Sequence, residues 1–264
     1  MNAPATLLSV KIDTSYRDKA VLSGLSLEMQ PGEIVGLVGH SGSGKSTLAL
    51  AILRLLDRKG GTVSGSVKLA GRELMEMSEA ELRRLRGSAI AYVPQSAISS
   101  LNPALNIGTQ MREAWGAHGK GTRQQRETRI REVLRAVALP EVEEILERKS
   151  SQLSVGQGQR VLIAMAILHS PSLLIADEPT SALDTITQSE VLELLARLNR
   201  ELHVAVLYIS HDLLAVSSFC HRVAILHEGR IVESGQARTI FAAPQHPFTR
   251  QLVRAIPNLP NETK

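Results

Sequence analysis

The sequence contains one cysteine, Cys220, in 264 residues. A single cysteine excludes an intramolecular disulfide framework, so we expect a reducing compartment and a thiol that packs in the interior. Phenylalanine, tryptophan and tyrosine together make up only 3% of the residues. So few aromatic side chains leave little surface for base stacking, and we expect no nucleic-acid partner despite a formal net charge of +4.

Long apolar runs and a leader sequence are also missing. No uninterrupted apolar run approaches the ~20 residues that cross a bilayer, so the chain is not expected to span a membrane by itself. The start, "MNAPATLLSVKIDTSY", has no basic stretch followed by an apolar one, which predicts that no signal peptide is present. A modest attraction to an anionic membrane surface would use the positive charge.

The hydrophobic pattern alternates between strands and helices. "LLSVKIDTSY" and "AVLSGLSLEMQPGE" alternate apolar and polar residues, which is typical of antiparallel strands. The runs "IVGLVG", "SLLIADE" at 172–178 and "VAVLYIS" at 204–210 predict strands buried on both faces. "LALAILRLL" and "TQSEVLELLARLNREL" predict helices between them, and "VAILHEGRIVESG" predicts a hairpin that turns at Glu228 and Gly229. The pattern indicates an α/β protein with a mainly parallel sheet.

The region from about 100 to 150 differs from its surroundings. "TRQQRETRIREVLRAVAL" and "PEVEEILERKS" have the spacing of amphipathic helices, and no strand is predicted between them. This region is therefore expected to form a helical lobe.

A glycine-rich loop between a predicted buried strand and a helix matches the full P-loop pattern. Its glycines permit a turn that directs backbone N–H groups at phosphate oxygens, and the helix N-terminus adds positive potential. Lys45 would balance the charge of the β- and γ-phosphates, and the Ser46 hydroxyl would bind Mg²⁺. The sequence predicts a nucleoside triphosphate site formed by Gly39, His40, Ser41, Gly42, Ser43, Gly44, Lys45, Ser46 and Thr47.

Two acidic residues end the predicted strand "LLIADE". Asp177 is expected to hold Mg²⁺, directly or through water, and Glu178 to accept a proton from the water that attacks the γ-phosphate. His211, directly after "VLYIS", either donates to the γ-phosphate or is structural.

Seven motifs in a fixed order give the chain a close resemblance to the nucleotide-binding subunits of ABC (ATP-binding cassette) transporters. They are Tyr16, the P-loop, Gln95 in "YVPQ", "LSVGQ" at 153–157, "LLIADE", "SALD" at 181–184 and His211. The resemblance implies a P-loop NTPase (RecA-like) core with an N-terminal antiparallel β subdomain and an inserted helical subdomain. It also implies that Tyr16 stacks on adenine, and that Gln95 contacts Mg²⁺ and water and links them to the membrane subunit.

The resemblance explains why a second polar helix start occurs at "LSVGQ". In the family, two chains pack head to tail, and the signature segment of one covers the ATP held by the P-loop of the other. Ser154, Gly156 and Gln157 are thus expected at the partner's nucleotide. Val155 replaces the usual first glycine, which is tolerated if its backbone is ordinary helix and strained if its φ is positive.

The resemblance is closest to importers of peptides, nickel and related small solutes, because "SLNP" follows Gln95 and "HPFTRQLVRAIP" resembles their tail. It implies two permease subunits, a second ATPase subunit (a related chain or another copy), an indirectly coupled solute-binding protein, and a place at the cytoplasmic face of the inner membrane. The tail has no cysteine cluster, so we expect no iron–sulfur site, which weakens an oligopeptide as the solute relative to a dipeptide or nickel.

Two other classes of ATPase are alternatives to an importer subunit. An ABC-type ATPase of a soluble complex, such as a carbon–phosphorus lyase accessory ATPase, would carry similar motifs, and "SLNP" favours transport over it only moderately. Chromosome-organising ATPases separate their P-loop and signature by a long coiled coil, which is absent from this sequence.

The motifs also suggest domain boundaries. We expect one ATPase domain over residues 1–245, with residues 1–95 and 165–245 forming the catalytic core and residues 96–164 the helical signature subdomain. Residues 246–264 are expected to form the subfamily-type C-terminal tail.

Overall fold

A computed structural model describes residues 6–17 and 19–256 and divides into two compact units. Among the described residues, the first comprises 6–17, 19–77 and 207–256, and the second comprises 78–206. The strands are β1 (Leu8–Tyr16), β2 (Lys19–Met29), β3 (Ile34–Val38), β4 (Gly61–Leu69), β5 (Arg72–Glu73), β6 (Ile90–Val93), β7 (Leu173–Asp177), β8 (Ala205–Ser210), β9 (Arg222–His227) and β10 (Arg230–Gln236). The helices are α1 (Lys45–Ile52), α2 (Glu79–Leu85), α3 (Ala97–Ser100), α4 (Ile107–Gly116), α5 (Arg123–Ala136), α6 (Val142–Glu147), α7 (Val155–Ala166), α8 (Thr185–Leu202), α9 (Leu213–Phe219), α10 (Ala237–Ala242) and α11 (Pro247–Arg254).

The first unit contains an antiparallel sheet in the order β2-β1-β4-β5. The alternation predicted for β1 is observed, because Leu8, Val10 and Ile12 are buried while Ser9 and Lys11 are more exposed. Strands β4 and β5 complete the sheet and were not predicted.

A second set of strands in the first unit has the order β10-β9-β3-β8. All five residues of β3 are buried, as its continuous apolar run predicts, and β3 pairs parallel to β9. The predicted hairpin of β9 and β10 is also present. Its two turn residues, Glu228 and Gly229, have φ of 47° and 76°. A two-residue hairpin turn of type I′ requires positive φ at both positions.

Helix α1 begins within the phosphate loop but ends earlier than its apolar run predicts. The run extends to Leu56, whereas the helix stops at Ile52. Arg54 has a φ of 53°, which a right-handed helix cannot accommodate, and its Nη1 donates to the Met75 carbonyl at 3.0 Å. Leu56 is still fully buried, so the apolar run marks burial rather than helix length.

The second unit combines a small parallel sheet with helices. In the second unit, β6 and β7 pair in parallel, with Ile90 opposite Leu173 and Val93 opposite Ala176. Helix α5 confirms the amphipathic pattern, since Ile130, Val133 and Leu134 are buried at i, i+3 and i+4. In this part of the chain, α3 to α7 follow one another without an intervening strand.

The structure also bears on the expectations for Cys220 and for a membrane span. Cys220 is buried, and burial raises the pKa of its thiol, consistent with a packing role. Within residues 6–17 and 19–256, every helix is too short or too polar to cross a bilayer. Part of the predicted tail forms α11, whereas residues 257–264 lie outside the described residues.

Arg222 connects several parts of the first unit. Its Nε and Nη2 donate to the two carboxylate oxygens of Glu33 at 2.7 and 3.3 Å. It also donates to the Glu28 carbonyl and to the Ser234 hydroxyl. The Arg222 and Glu33 side chains are 27% and 15% exposed, so this two-point ion pair is poorly screened by water.

We predict that Arg222→Lys lowers the free energy of unfolding by about 1–2 kcal/mol, because an ammonium group cannot make the two-point contact with Glu33. Urea unfolding measures the change. Arg230→Lys, at an exposed position on the same hairpin, is the matched control and should cost less than about 0.5 kcal/mol. Equal losses in the two variants would contradict the prediction.

Candidate functional site

The predicted phosphate loop joins β3 to α1 in the first unit and lies against the end of β9. A Cβ atom at Gly39 would lie 2.4 Å from the Leu226 carbonyl oxygen and 2.7 Å from Ser43 Oγ. No larger residue fits there without moving the backbone. The loop is closed by a hydrogen bond from the Ser43 N–H to the His40 carbonyl at 3.1 Å. Ser41, Gly42 and Ser46 are exposed, and Thr47 is partly buried.

Lys45 is the first residue of α1, and its side chain folds back over the loop. Its Nζ donates to the carbonyl oxygens of Gly39 and His40, both at 2.9 Å. The residue is only 6% exposed, so the ammonium group has a fixed position. A positive charge is therefore held beside the loop's backbone N–H groups.

The N-terminus of α1 differs from the other long helices. Its N-cap is Gly44, and no side chain caps it. In the described part of the chain, every other helix of eight or more residues has a side-chain cap, from Asn106, Thr122, Ser154, Asp184 and His246. The first N–H groups of a helix need an acceptor. Ser43 Oγ is also buried without a hydrogen-bond partner among the described residues. These donors suit a phosphate.

Two further predicted residues lie at strand ends of the first unit. Tyr16 ends β1 and pairs with Gly61, where a Cβ atom would lie 3.0 Å from Tyr16 Cε1. The ring is thus packed on one side and remains partly exposed, as a base-stacking residue requires. His211 follows β8 and is exposed.

In the second unit, Asp177 and Glu178 end β7 as predicted. Asp177 is 5% exposed, and its Oδ2 accepts a hydrogen bond from Tyr92 Oη at 3.1 Å. Burial and the negative charge of Asp177 raise the pKa of Tyr92 well above its ordinary value, so the phenol stays protonated and donates. The sequence interpretation missed Tyr92, although its position on the strand of "YVPQ" was available as a signal.

The structure brings Gln95 and Glu178 together. Gln95 Nε2 donates to Glu178 Oε2 at 2.8 Å. Glu178 has a φ of 48°, a conformation that a residue with a Cβ rarely adopts. The Ser181 N–H and Oγ both donate to the Glu178 carbonyl, at 3.2 and 3.1 Å, and hold the peptide in place. Unfavourable backbone conformations of this kind concentrate at functional sites.

The signature segment begins α7 as predicted. Ser154 is the N-cap: its Oγ accepts from the Gln157 N–H, and Gln157 Oε1 accepts from the Ser154 N–H, both at 3.1 Å. The Gly156 N–H lies in the first turn, where no carbonyl of the same helix accepts it. Val155 is 40% exposed and is helical, without a positive φ. The backbone at Val155 is therefore ordinary helix, in which valine is tolerated in place of glycine.

The "SALD" segment lies beside the signature segment in the second unit. Asp184 caps α8 by accepting from the N–H groups of Ile186 and Thr187 at 3.1 and 3.0 Å. Hydrogen bonds from the Thr187 side chain and backbone hold the pKa of Asp184 below its ordinary value. Both segments line one open groove of about 580 Å³, which also contains the Arg160–Glu190 ion pair.

Each unit contains side chains whose chemistry suits a magnesium ion. The hydroxyl of Ser46, the carboxylate of Asp177 and the amide oxygen of Gln95 are hard oxygen ligands of the kind that Mg²⁺ prefers. Because Nε2 of Gln95 donates to Glu178, its oxygen remains as the amide's ligand atom.

A phosphate loop after a buried parallel strand, and an acidic pair at the end of another, define a P-loop nucleotide-binding protein of the α/β class. The chain belongs to the ABC transporter family, whose family model matches residues 22–181. Family membership implies that the chain binds ATP.

Curated relatives include the glutathione import ATP-binding protein GsiA of Shigella flexneri serotype 5b and of Escherichia coli strain K12. Each is 42% identical over 246 residues, which is 91% of this chain and 40% of the relative. This chain thus spans about two fifths of the length of these relatives.

Solved structures confirm the fold expected from the resemblance. CbiO1 from Clostridium perfringens, part of the ABC transporter complex cbiONQ, has a TM-score of 0.79 and 27% identity, covering 90% of this chain and 92% of its own. The ATP-binding cassette MJ0796, a dimer bound to ADP and Pi after hydrolysis, has a TM-score of 0.76 and 29% identity, covering 88% and 99%.

We predict that Gly156→Ala destabilises the start of α7. The added Cβ would lie 2.7 Å from Thr187 Cγ2, and Thr187 cannot rotate without losing its hydrogen bond to Asp184 Oδ2 at 2.7 Å. The free energy of unfolding should fall by about 1–2 kcal/mol, although alanine is the better helix former.

The added substitution Thr187→Ser removes the methyl group and keeps the hydroxyl, so Gly156→Ala/Thr187→Ser should recover most of the loss. Urea unfolding of the two single variants and the double variant gives the result. A double variant as unstable as Gly156→Ala would show that this overlap is not the cause.

Proposed function

We propose that the chain is the ATP-binding and ATP-hydrolysing subunit of an ABC importer for peptides, nickel or a related small solute. The observation that best supports ATP hydrolysis is the hydrogen bond of 2.8 Å between Gln95 and Glu178. It joins the loop glutamine to the carboxylate that can take a proton from water. Glu178 is a suitable base because its carboxylate is only partly buried, so water can reach it.

Each site residue has a proposed task in the reaction. Lys45 and the N–H groups at the start of α1 bind the β- and γ-phosphates, and Tyr16 stacks on the adenine. Ser46, Asp177 and Gln95 would hold Mg²⁺, which when bound neutralises charge that develops on the phosphates. Glu178 orients and deprotonates the attacking water, and His211 donates to the γ-phosphate.

The signature segment serves a second ATPase subunit, which is a related chain or another copy. Ser154, Gly156 and Gln157 would bind the γ-phosphate held by the partner's P-loop, with the Ser154 O–H and the Gly156 N–H as donors. ATP then becomes part of the interface, so binding favours closure and hydrolysis favours opening. The helical lobe, proposed as residues 96–164, would transmit this change to two permease subunits at the cytoplasmic face of the inner membrane.

The names of the curated relatives favour import over the soluble-complex alternative. GsiA is named for glutathione import, and glutathione is a peptide, which agrees with the peptide class of solute. The phosphate loop and the acidic pair are assigned to ATP in this proposal, and solute choice is assigned to the permeases and the binding protein.

We predict that Glu178→Gln binds ATP but lowers turnover by about 10²–10⁴-fold, because glutamine cannot accept the proton. Its amide keeps an oxygen that can accept from Gln95. With ATP and Mg²⁺, the variant copurified with its ATPase partner should accumulate as a closed dimer, measured by light scattering after gel filtration.

Lys45→Ala is the matched control, since it should lose productive ATP binding and form no such dimer. Unchanged turnover in either variant would contradict the assigned roles.

The import function is tested by recovering the tagged chain from detergent-solubilised native membranes and identifying the copurifying chains by mass spectrometry. Two multi-spanning proteins and a second P-loop chain are expected. Recovery only from the soluble fraction, together with metabolic enzymes, would overturn import and leave the nucleotide chemistry intact.

A further inference from the structure

The C-terminal helix α11 is anchored at its start to the first unit. The two carboxylate oxygens of Glu233, on β10, accept from the N–H groups of Gln245 and His246 at 2.8 and 3.0 Å. Burial raises the pKa of Glu233, but these hydrogen bonds more than offset it, so the pKa lies below its ordinary value. A charged carboxylate therefore holds the residues that lead into α11.

Phe248, on the first turn of α11, contacts two histidine rings of the same unit. Its ring stacks on His227 with centroids 3.8 Å apart and an interplanar angle of 20°. It meets the ring of His40 at 5.0 Å and 71°, an edge-to-face arrangement. Phe248 is 7% exposed, so its own ring is shielded from water, and such aromatic pairs contribute beyond their buried area.

His40 belongs to the phosphate loop, and its carbonyl is one of the two that hold Lys45 Nζ, at 2.9 Å. The same carbonyl accepts the Ser43 N–H that closes the loop. Its side chain is exposed except where Phe248 covers it. The ring that α11 contacts therefore belongs to the residue whose backbone orients the loop's lysine.

His227, on the other side of the Phe248 ring, also lies next to the phosphate loop. His227 ends β9 immediately after Leu226, whose carbonyl fits closely against Gly39. Phe248 thus contacts both the end of β9, through His227, and the start of the phosphate loop, through His40. We call this start of the loop its entry.

We propose that Phe248 is a positioning residue for nucleotide binding, and that α11 fixes the entry of the phosphate loop through the His227–Phe248–His40 stack. The proposal rests on the proposed function of the loop as the ATP site. It assigns to the C-terminal segment an indirect contribution to ATP affinity, which passes through the phosphate loop.

The expected effect is a change in affinity rather than in the chemical step. Loss of one aromatic pair should weaken binding of ATP by about three- to tenfold. Phe248→Leu removes the ring and retains an apolar side chain, whereas Phe248→Tyr retains both ring contacts. Gln251→Ala, on an exposed position of the same helix, is the matched control.

The test titrates the full-length chain with a fluorescent N-methylanthraniloyl derivative of ATP and Mg²⁺, and measures the melting temperature of each variant. Phe248→Leu should bind the probe about three- to tenfold more weakly, and Phe248→Tyr and Gln251→Ala should bind like the unchanged chain. Turnover at saturating ATP, with the partner subunit present, should stay within about twofold, so that KM changes and kcat does not.

A double-mutant cycle with His40→Ala distinguishes an effect of Phe248 that passes through His40 from a general stabilisation of the fold. If Phe248 acts through His40, Phe248→Leu should have little further effect on probe binding in the His40→Ala background. Additive effects, or a Phe248→Leu variant that melts earlier but binds the probe normally, would overturn the proposal. Lys45→Ala in the same titration keeps the two proposals apart: normal probe binding by that variant would refute the ATP site itself, whichever way the Phe248 variants behave.

Discussion

The chemistry of the phosphate loop depends on the backbone N–H groups at the start of α1, which have no acceptor within the helix. The first turn of any helix lacks internal acceptors, and α1 has neither a capping side chain nor an acidic residue there. Around this end, Gly39 fits against β9 and Lys45 lies on the loop's own carbonyls. The loop therefore concentrates donors and positive charge at one point, which is stable as a binding site because an anion satisfies them.

In the second unit, two acidic side chains are held in place by hydrogen bonds. Asp177 is buried but receives a hydrogen bond from the neutral phenol of Tyr92, and Glu178 receives one from Gln95. The left-handed backbone at Glu178 is unfavourable by itself and is held by Ser181. Such preorganisation places the cost of ordering in folding rather than in the reaction.

The C-terminal helix extends the same principle to a part of the chain outside the family motifs. Charge at Glu233 fixes where the segment begins, and Phe248 then reaches both the end of β9 and the phosphate loop. Phe248 gives the phosphate loop an aromatic contact through His40. The signature segment solves the comparable problem locally, since Ser154 and Gln157 cap each other.

The sequence by itself determined the buried strands β3, β7 and β8, the hairpin turn at Glu228 and Gly229, the phosphate loop and the helix start at the signature segment. Each of these depends on burial periodicity or on side chains within a few residues. Only the tertiary structure decided that α1 ends at Ile52, that Tyr92 reaches Asp177, that Gln95 reaches Glu178 and that Phe248 reaches His40. These contacts join residues far apart in the chain, and they follow from strand pairing and packing, which a local pattern does not encode.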